Sequence, residues 1–261
     1  MSTHSISMTA LVTGASRGIG SAIALALASR GVTIALHYHS NVALAEAVLA
    51  DLPGHRHRMF SADLSQSTDA VTLWHNVSSS FGKVDILVNN AGVFVDHPPV
   101  KTSLEQWQQT WRHTLTTNLE SPAHLSFLAT QAMMDREIAD PRFGRGRIIN
   151  ISSRGAFRGE PDAPAYGASK AGMNSLSQSL AKALAPNGIY VYCLAPGWVS
   201  TDMATGHLKG PNGSEILAQH PLGRVATAAE IANAACYCAL DAPAAMTGGI
   251  IDVNGASYLR T

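Results

Sequence analysis

Short apolar runs alternate with longer stretches of helical periodicity along almost the whole chain, and this alternation limits the fold more than any other feature. Ala10–Val12, Thr33–His37, Met59–Phe60, Ile86–Val88, Arg147–Ile151, Ile189–Leu194 and Ile250–Val253 read as strands. Helical patterning covers Ile19–Ser29, Val42–Leu52, Thr68–Phe81 and one long stretch, Leu104–Met134. A strand, a helix and a further strand in succession require a crossover, which makes neighbouring strands parallel and places helices on both faces of the sheet. The expected fold class is α/β, a doubly wound parallel sheet.

The 261 residues fit one domain of this class, and no linker or repeat divides them. Asp140–Arg147 reads as a surface loop. Thr205–Gly213, with three glycines and a proline, breaks the α/β rhythm and suits a substrate lid around residues 200–220. Acidic and basic residues balance at 18 each, which speaks against nucleic acid or an anionic membrane as partner. Cys193, Cys236 and Cys238 make no disulfide or metal framework. The first residues carry no secretory pattern, and no apolar run reaches the length of a spanning helix, so a cytoplasmic protein is expected.

The first strand runs into Thr13-Gly14-Ala15-Ser16-Arg17-Gly18-Ile19-Gly20, which opens a helix. Free N–H groups and the positive end of the helix dipole favour a pyrophosphate there, and glycine lets the backbone come close. The turn makes the sheet Rossmann-type, although its spacing is G-x-x-x-G-x-G rather than G-x-G-x-x-G.

Further segments follow in a fixed order: Asn89-Asn90-Ala91-Gly92 after the fourth strand, Asn118 in the long helical stretch, and Asn150-Ile151-Ser152-Ser153 after the fifth strand. Tyr166 and Lys170 stand in Y-G-A-S-K, and Pro196-Gly197 ends the sixth strand. Together these closely resemble the short-chain dehydrogenase/reductase family in its single-domain branch, over nearly the whole chain. The look is nearest to bacterial beta-ketoacyl-carrier-protein reductases and related carbonyl reductases.

Carbonyl reduction needs a hydride at carbon, and a proton and a hydrogen-bond partner at oxygen. Tyr166 carries a transferable proton, but a free phenol titrates near 10, and a nearby cation lowers that value. Lys170, four residues on, shares a helix face with it. Ser152 and Ser153 both stand at a strand end where a hydroxyl would hold the substrate oxygen; family spacing favours Ser153. The resemblance implies that Asn118 joins Lys170 to solvent through a water.

Cofactor contacts follow from the same resemblance. Gly14, Ser16, Arg17, Gly18, Ile19 and Gly20 would surround the pyrophosphate. Asp63 and Leu64 would meet adenine, and Asn90, Ala91 and Gly92 the adenosine side. Tyr166 and Lys170 would reach the nicotinamide ribose, and Pro196, Gly197, Val199 and Thr201 the carboxamide end. The second strand ends in His37-Tyr38-His39-Ser40-Asn41, without the acidic residue that commonly binds a free ribose. Arg17, helped by His39, would hold a 2′-phosphate, so NADP(H) is the expected cofactor and NAD(H) the alternative.

His37-x-His39 and His55-x-His57 have no third ligand nearby, so no metal is expected. Val93–Val95, Arg154–Arg158, Trp198, Met203 and the lid would wall the substrate pocket. Asn187 stands where carrier-protein reductases often carry a basic residue; Arg142, Arg145 and Arg147 would compensate or be solvated. The small face Ala168, Ala171 and Gly172, and Trp107, Trp111 and Leu115, suit core or subunit contacts, and the resemblance implies a homo-oligomer, tetramer or dimer. The expected function is an NADP(H)-dependent reductase of a small-molecule ketone or 3-oxoacyl group. The alternatives are an NAD-dependent sugar or secondary-alcohol dehydrogenase and a non-catalytic dinucleotide sensor.

Overall fold

The computed structural model describes residues 8–138, 140–211 and 213–260. The start of the chain through residue 7, and Asn212 within the expected lid, lie outside the described residues. In chain order the elements are β1 (Thr9–Val12), α1 (Gly18–Ala28), β2 (Thr33–Tyr38), α2 (Val42–Asp51), β3 (Arg58–Ser61), α3 (Ser67–Phe81) and β4 (Ile86–Asn89). Then come α4 (Leu104–Leu115), a π-helical turn at Thr116–Glu120, α5 (Ser121–Met134), β5 (Gly146–Ile151), α6 (Gly155–Arg158) and α7 (Pro164–Leu184). The chain closes with β6 (Ile189–Pro196), β7 (Val199–Ser200), α8 (Asp202–Leu208), α9 (Gly213–Ala218), β8 (Ala226–Thr227), α10 (Ala228–Leu240) and β9 (Ile250–Val253).

Seven strands form one parallel sheet in the order β3-β2-β1-β4-β5-β6-β9, with Val12 in register with both Leu36 and Val88. Because side chains alternate across a strand, the sheet feeds two cores. Val12, Leu36, Val88 and Ile149 pack with Ile23 and Leu27 of α1 and Ile231 of α10 on one face. Leu11, Leu87, Ile148 and Val191 pack with Leu73 of α3, Leu125 of α5 and Ala181 of α7 on the other. Burial of each such aliphatic side chain is worth about 1.5–3 kcal/mol.

Two helix starts are fixed by reciprocal caps, Ser103 with Gln106 on α4 and Thr227 with Glu230 on α10. The long stretch expected as one helix is interrupted: Thr116–Glu120 forms a π turn between α4 and α5. A π turn inserts one residue into helical register, a local irregularity that periodicity does not reveal. Asn118 lies inside it. Of the arginines near β5, Arg142 is solvated as one reading expected, whereas Arg145 and Arg147 turn inward. Arg147 is 1% exposed and donates to the carbonyls of Arg142 and Cys238, while Arg145 donates to those of Arg136 and Asn187. Arg142 pairs with Asp140.

Sheet order reverses between β1 and β4, so the loops leaving these two strands part there and open a crevice beyond the carboxyl ends. The stretch expected as a lid contains α8 and α9, and α8 contributes Asp202, Met203, Ala204 and His207 to this crevice. No described helix is long and apolar enough to cross a membrane.

Candidate active site

The first wall of the crevice is the glycine turn. Gly14 has φ of 62° and Gly18 of 59°, left-handed values that favour glycine. A Cβ on Gly14 would press on the Ala91 backbone, and one on Gly20 would strike the Gly14 carbonyl and the Asn90 side chain. The turn is therefore closed tightly against the β4 loop. Asn90 completes the join by donating its side-chain amide to the carbonyls of Thr13 and Gly14, while Thr13 Oγ1 accepts from the amides of Asn90 and Ala91. No side chain caps the start of α1. Its first N–H groups are free to receive an anion, which fits a dinucleotide pyrophosphate.

Behind the turn stands His37, which sequence reading weighed only as a metal ligand. Its Nδ1 accepts the Gly14 N–H at 3.0 Å, and its Nε2 lies 3.1 Å from the Ala62 carbonyl. This pattern requires the neutral ring with its proton on Nε2. Burial holds the ring neutral, pushing its pKa down to about 4. Among the described residues no cluster of histidine, cysteine or acidic groups is placed to hold a metal.

Ser16, Arg17, Gly18, Ile19, His39, Asp63, Asn90, Ala91 and Gly92, expected from sequence as cofactor contacts, all line one cleft. Arg17 is exposed, and its side chain makes no hydrogen bond or ion pair with the described residues. The tertiary structure brings an acid to the end of β2 after all: Asp63, from beyond β3, lies 3.7 Å from His39. Leu64 differs from expectation. Its side chain is buried in the core and its carbonyl accepts from Ser121, so it does not line the cleft. Gly20 also lies beneath the surface of the turn.

The reactive end gathers Ser153, Tyr166 and Lys170, with Pro196, Gly197, Val199 and Thr201 closing the far side. The two serines separate cleanly. Ser152 donates to the Lys170 carbonyl inside the fold, whereas Ser153 lies against the Tyr166 phenol and accepts from the Gly155 amide. Burial pushes the Tyr166 hydroxyl up to about 12, and Ser153 opposes the shift. Lys170 is not the lowering partner within the protein alone. Its Nζ donates to the Ile151 carbonyl at 2.8 Å and lies 5.7 Å from the Tyr166 ring centre, and burial pushes its own pKa down to about 8. Both groups sit in low polarity, so desolvation outweighs their mutual effect.

Asn118 stands one layer back. Its side chain accepts from Val93 N at 2.8 Å and donates to the Val93 carbonyl and to Ser169 Oγ. It thereby ties the π turn to the β4 loop and to α7. Gly92 lets it and Lys170 approach one another, since a Cβ there would lie 3.3 Å from Asn118 Oδ1 and 3.5 Å from Lys170 Nζ.

An aromatic wall faces the reactive end. Phe94 meets Tyr166 edge to face at 4.8 Å and His207 of α8 at 5.5 Å; Trp198 lies 5.2 Å from His207. Of the expected pocket residues, Val93, Phe94, Arg154, Trp198, Met203 and His207 of the lid stretch line this cleft, and Val95 and Arg158 do not. Glu160 was missed; it belongs to no motif, and its loop reaches the cleft only through the fold.

A family model described as enoyl-(acyl carrier protein) reductase matches residues 14–256. The chain is 39% identical over 251 residues to a 3-oxoacyl-[acyl-carrier-protein] reductase of Escherichia coli, covering 96% of this chain and 97% of the relative. Among solved structures it resembles the promiscuous reductase LugOII, which catalyses a keto-reduction in lugdunomycin biosynthesis, with 31% identity, a TM-score of 0.83 and coverage of 97% and 98% of the two chains. It likewise resembles an angucycline ketoreductase, LanV, solved with bound NADP, at 30% identity, a TM-score of 0.82 and coverage of 95% and 94%.

Proposed function

Because the chain belongs to the short-chain dehydrogenase/reductase family and is an oxidoreductase, we propose that it reduces a small-molecule ketone with NADP(H), using Tyr166 as general acid. The observation that carries this reading is the convergence of Ser153, Tyr166 and Lys170 on one end of a cleft whose other end is the uncapped start of α1. Bound there, the nicotinamide would supply the hydride to the carbonyl carbon.

The glycine turn and α1 hold the pyrophosphate, and Arg17 takes the 2′-phosphate through a charge-assisted contact. Ser153 and Tyr166 both direct hydroxyl groups at the substrate oxygen; Ser153 holds it and Tyr166 gives it a proton. Lys170, fixed by the Ile151 carbonyl, holds a ribose hydroxyl and places positive charge beside the phenol. A phenol raised to about 12 holds its proton until charge grows on the substrate oxygen, and nearby positive charge then favours its release. Asn118 orients Lys170's surroundings by locking Val93 and Ser169. The same groups run the reverse oxidation of an alcohol.

A carrier-bound 3-oxoacyl group, as the name of the Escherichia coli relative suggests, remains one form of the substrate. The absence of a basic side chain at Asn187, and the inward ties of Arg145 and Arg147, favour free ketones. The three described cysteines are free and buried, consistent with a reducing cytoplasm. Exposed Ala168 and Ala171 on α7 and Phe127 on α5 suit packing of a homo-oligomer, dimer or tetramer. Loss of NADPH or NADH absorbance over a panel of ketones tests the reading; Tyr166→Phe should silence it. Absence of turnover with every ketone would remove it.

A further inference from the structure

Beside the reactive end, two arginines converge on one neutral oxygen. Gln219, which follows α9 in the lid, accepts on Oε1 from Arg154 Nη2 at 2.9 Å and from Arg158 Nη1 at 3.1 Å. Arg154 is 3% exposed and lines the cleft with Tyr166, Phe94 and Trp198. Its other contact is Nη1 to the Ser257 carbonyl at 3.3 Å. A guanidinium has five N–H groups, so most of its donors remain uncommitted.

The charge does not close within this group. Arg154 forms no ion pair with a described residue. The nearby carboxylate, Glu160, lies 3.9 Å from Arg158 instead, and burial raises its pKa. Two arginines against one acid leave a net positive charge at the wall of a partly desolvated cleft. Burial also pushes the Arg154 pKa down to about 10, with Arg158 adding to the shift. A buried guanidinium whose main partner is an amide oxygen has given up water without gaining a counter-ion, which is costly unless an anion arrives. The amide is on an exposed residue of the lid and is easily displaced.

We propose that Arg154, backed from outside the cleft by Arg158, forms an anion subsite that takes a carboxylate on the ketone substrate, with Gln219 as its neutral placeholder. This rests on the reading of the protein as a ketone reductase and names its substrate class: oxo acids in preference to their esters or thioesters. Arg154 lines the same cleft as Ser153 and Tyr166, so an anion held there shares the cleft with the ketone. A carboxylate accepted by the planar fork of Arg154 fixes which end of the substrate meets the hydride.

The test compares kcat/KM for acetoacetate and levulinate against their methyl esters, with acetophenone as a neutral ketone. The wild type should favour at least one acid over its ester by about tenfold or more, the worth of a charge-assisted pair. Arg154→Gln should bring the acid-to-ester ratio near one, and Arg154→Lys should restore part of it. Gln219→Glu, on an exposed side chain, supplies a resident carboxylate and should lower the ratio even if Arg154→Gln folds poorly. Esters reduced as well as or better than both acids would overturn the subsite, as would an acid preference that survives both Arg154→Gln and Gln219→Glu. Turnover of acetophenone or an ester without either acid would likewise overturn it while leaving the reductase standing. Failure of all five probes would count against the ketone-reductase reading and the subsite with it.

Discussion

The Gly14 amide donates to the Nδ1 of His37 at 3.0 Å, so the glycine turn is held by a buried imidazole from the neighbouring strand. The ring accepts only while neutral, and protonation would face two N–H groups against each other. This links the glycine turn to pH.

Stability should therefore fall in acid. Burial, opposed by the Ala62 carbonyl and aided by His39, lowers the His37 pKa from 6.5 to about 4. A lowered pKa means that the native state binds the proton less readily than the unfolded chain. The resulting stability is fully present above about pH 6.5 and is lost progressively as pH falls toward 4. The lost contribution is about 3 kcal/mol, from the shift at 1.36 kcal/mol per unit. Urea midpoints between pH 7 and 4 should show a component that His37→Gln lacks. Equal slopes for the two proteins would remove His37 from the linkage.

Tyr166→Phe should lower kcat by about 10²–10⁴-fold, because the ring stays and the proton is lost. Cofactor affinity, read by quenching or calorimetry, should change little. A variant that keeps more than about a tenth of wild-type kcat would contradict the assignment.

Lys170→Met should weaken both cofactor binding and turnover, since one amine faces both. Its pKa, pushed down to about 8 by burial, gives a further signature in the free enzyme. The ammonium is present below that value and lost above it, so kcat/KM for cofactor should decline as pH rises through 8. A profile flat to pH 10 would show that the charge of Lys170 does not matter to capture.

Arg17→Ala should reduce the preference for NADPH over NADH by about ten- to a hundredfold, the range for a charge-assisted contact of 1.5–3 kcal/mol. His39→Asp, placing a second carboxylate near Asp63, should move preference further toward NADH. Measured kcat/KM for both cofactors decides the matter. A wild type already favouring NADH, or parallel losses on Arg17→Ala, would place Arg17 elsewhere than at the 2′-phosphate.

Asn118→Leu should destabilise the protein by a few kcal/mol, since Val93 and Ser169 lose three hydrogen bonds in a buried setting. A thermal melt reads the loss, and Asn118→Asp should recover part of it through the Val93 amide. An unchanged melting temperature for Asn118→Leu would show that these bonds add nothing net.

The local chemistry of the chain determined its strands, its glycine turn and the relation of Tyr166 to Lys170, because each depends on spacing within a single element or turn. Short apolar runs and a strand-glycine-helix junction are properties of neighbours in sequence, and they are readable there. Tertiary structure decided which serine meets Tyr166: both line the cleft, but the Ser152 hydroxyl is tied to the Lys170 carbonyl while Ser153 lies against the phenol. It also decided the burial that raises Tyr166 and lowers Lys170, which no i to i+4 spacing conveys. The π turn at Asn118, the strut of His37 under Gly14, the carboxylate of Asp63 beside His39 and the meeting of Arg154 with Gln219 all join distant parts of the chain or depend on one inserted residue. Desolvation and through-space contact are set by packing, and packing depends on which segments the crossovers bring together.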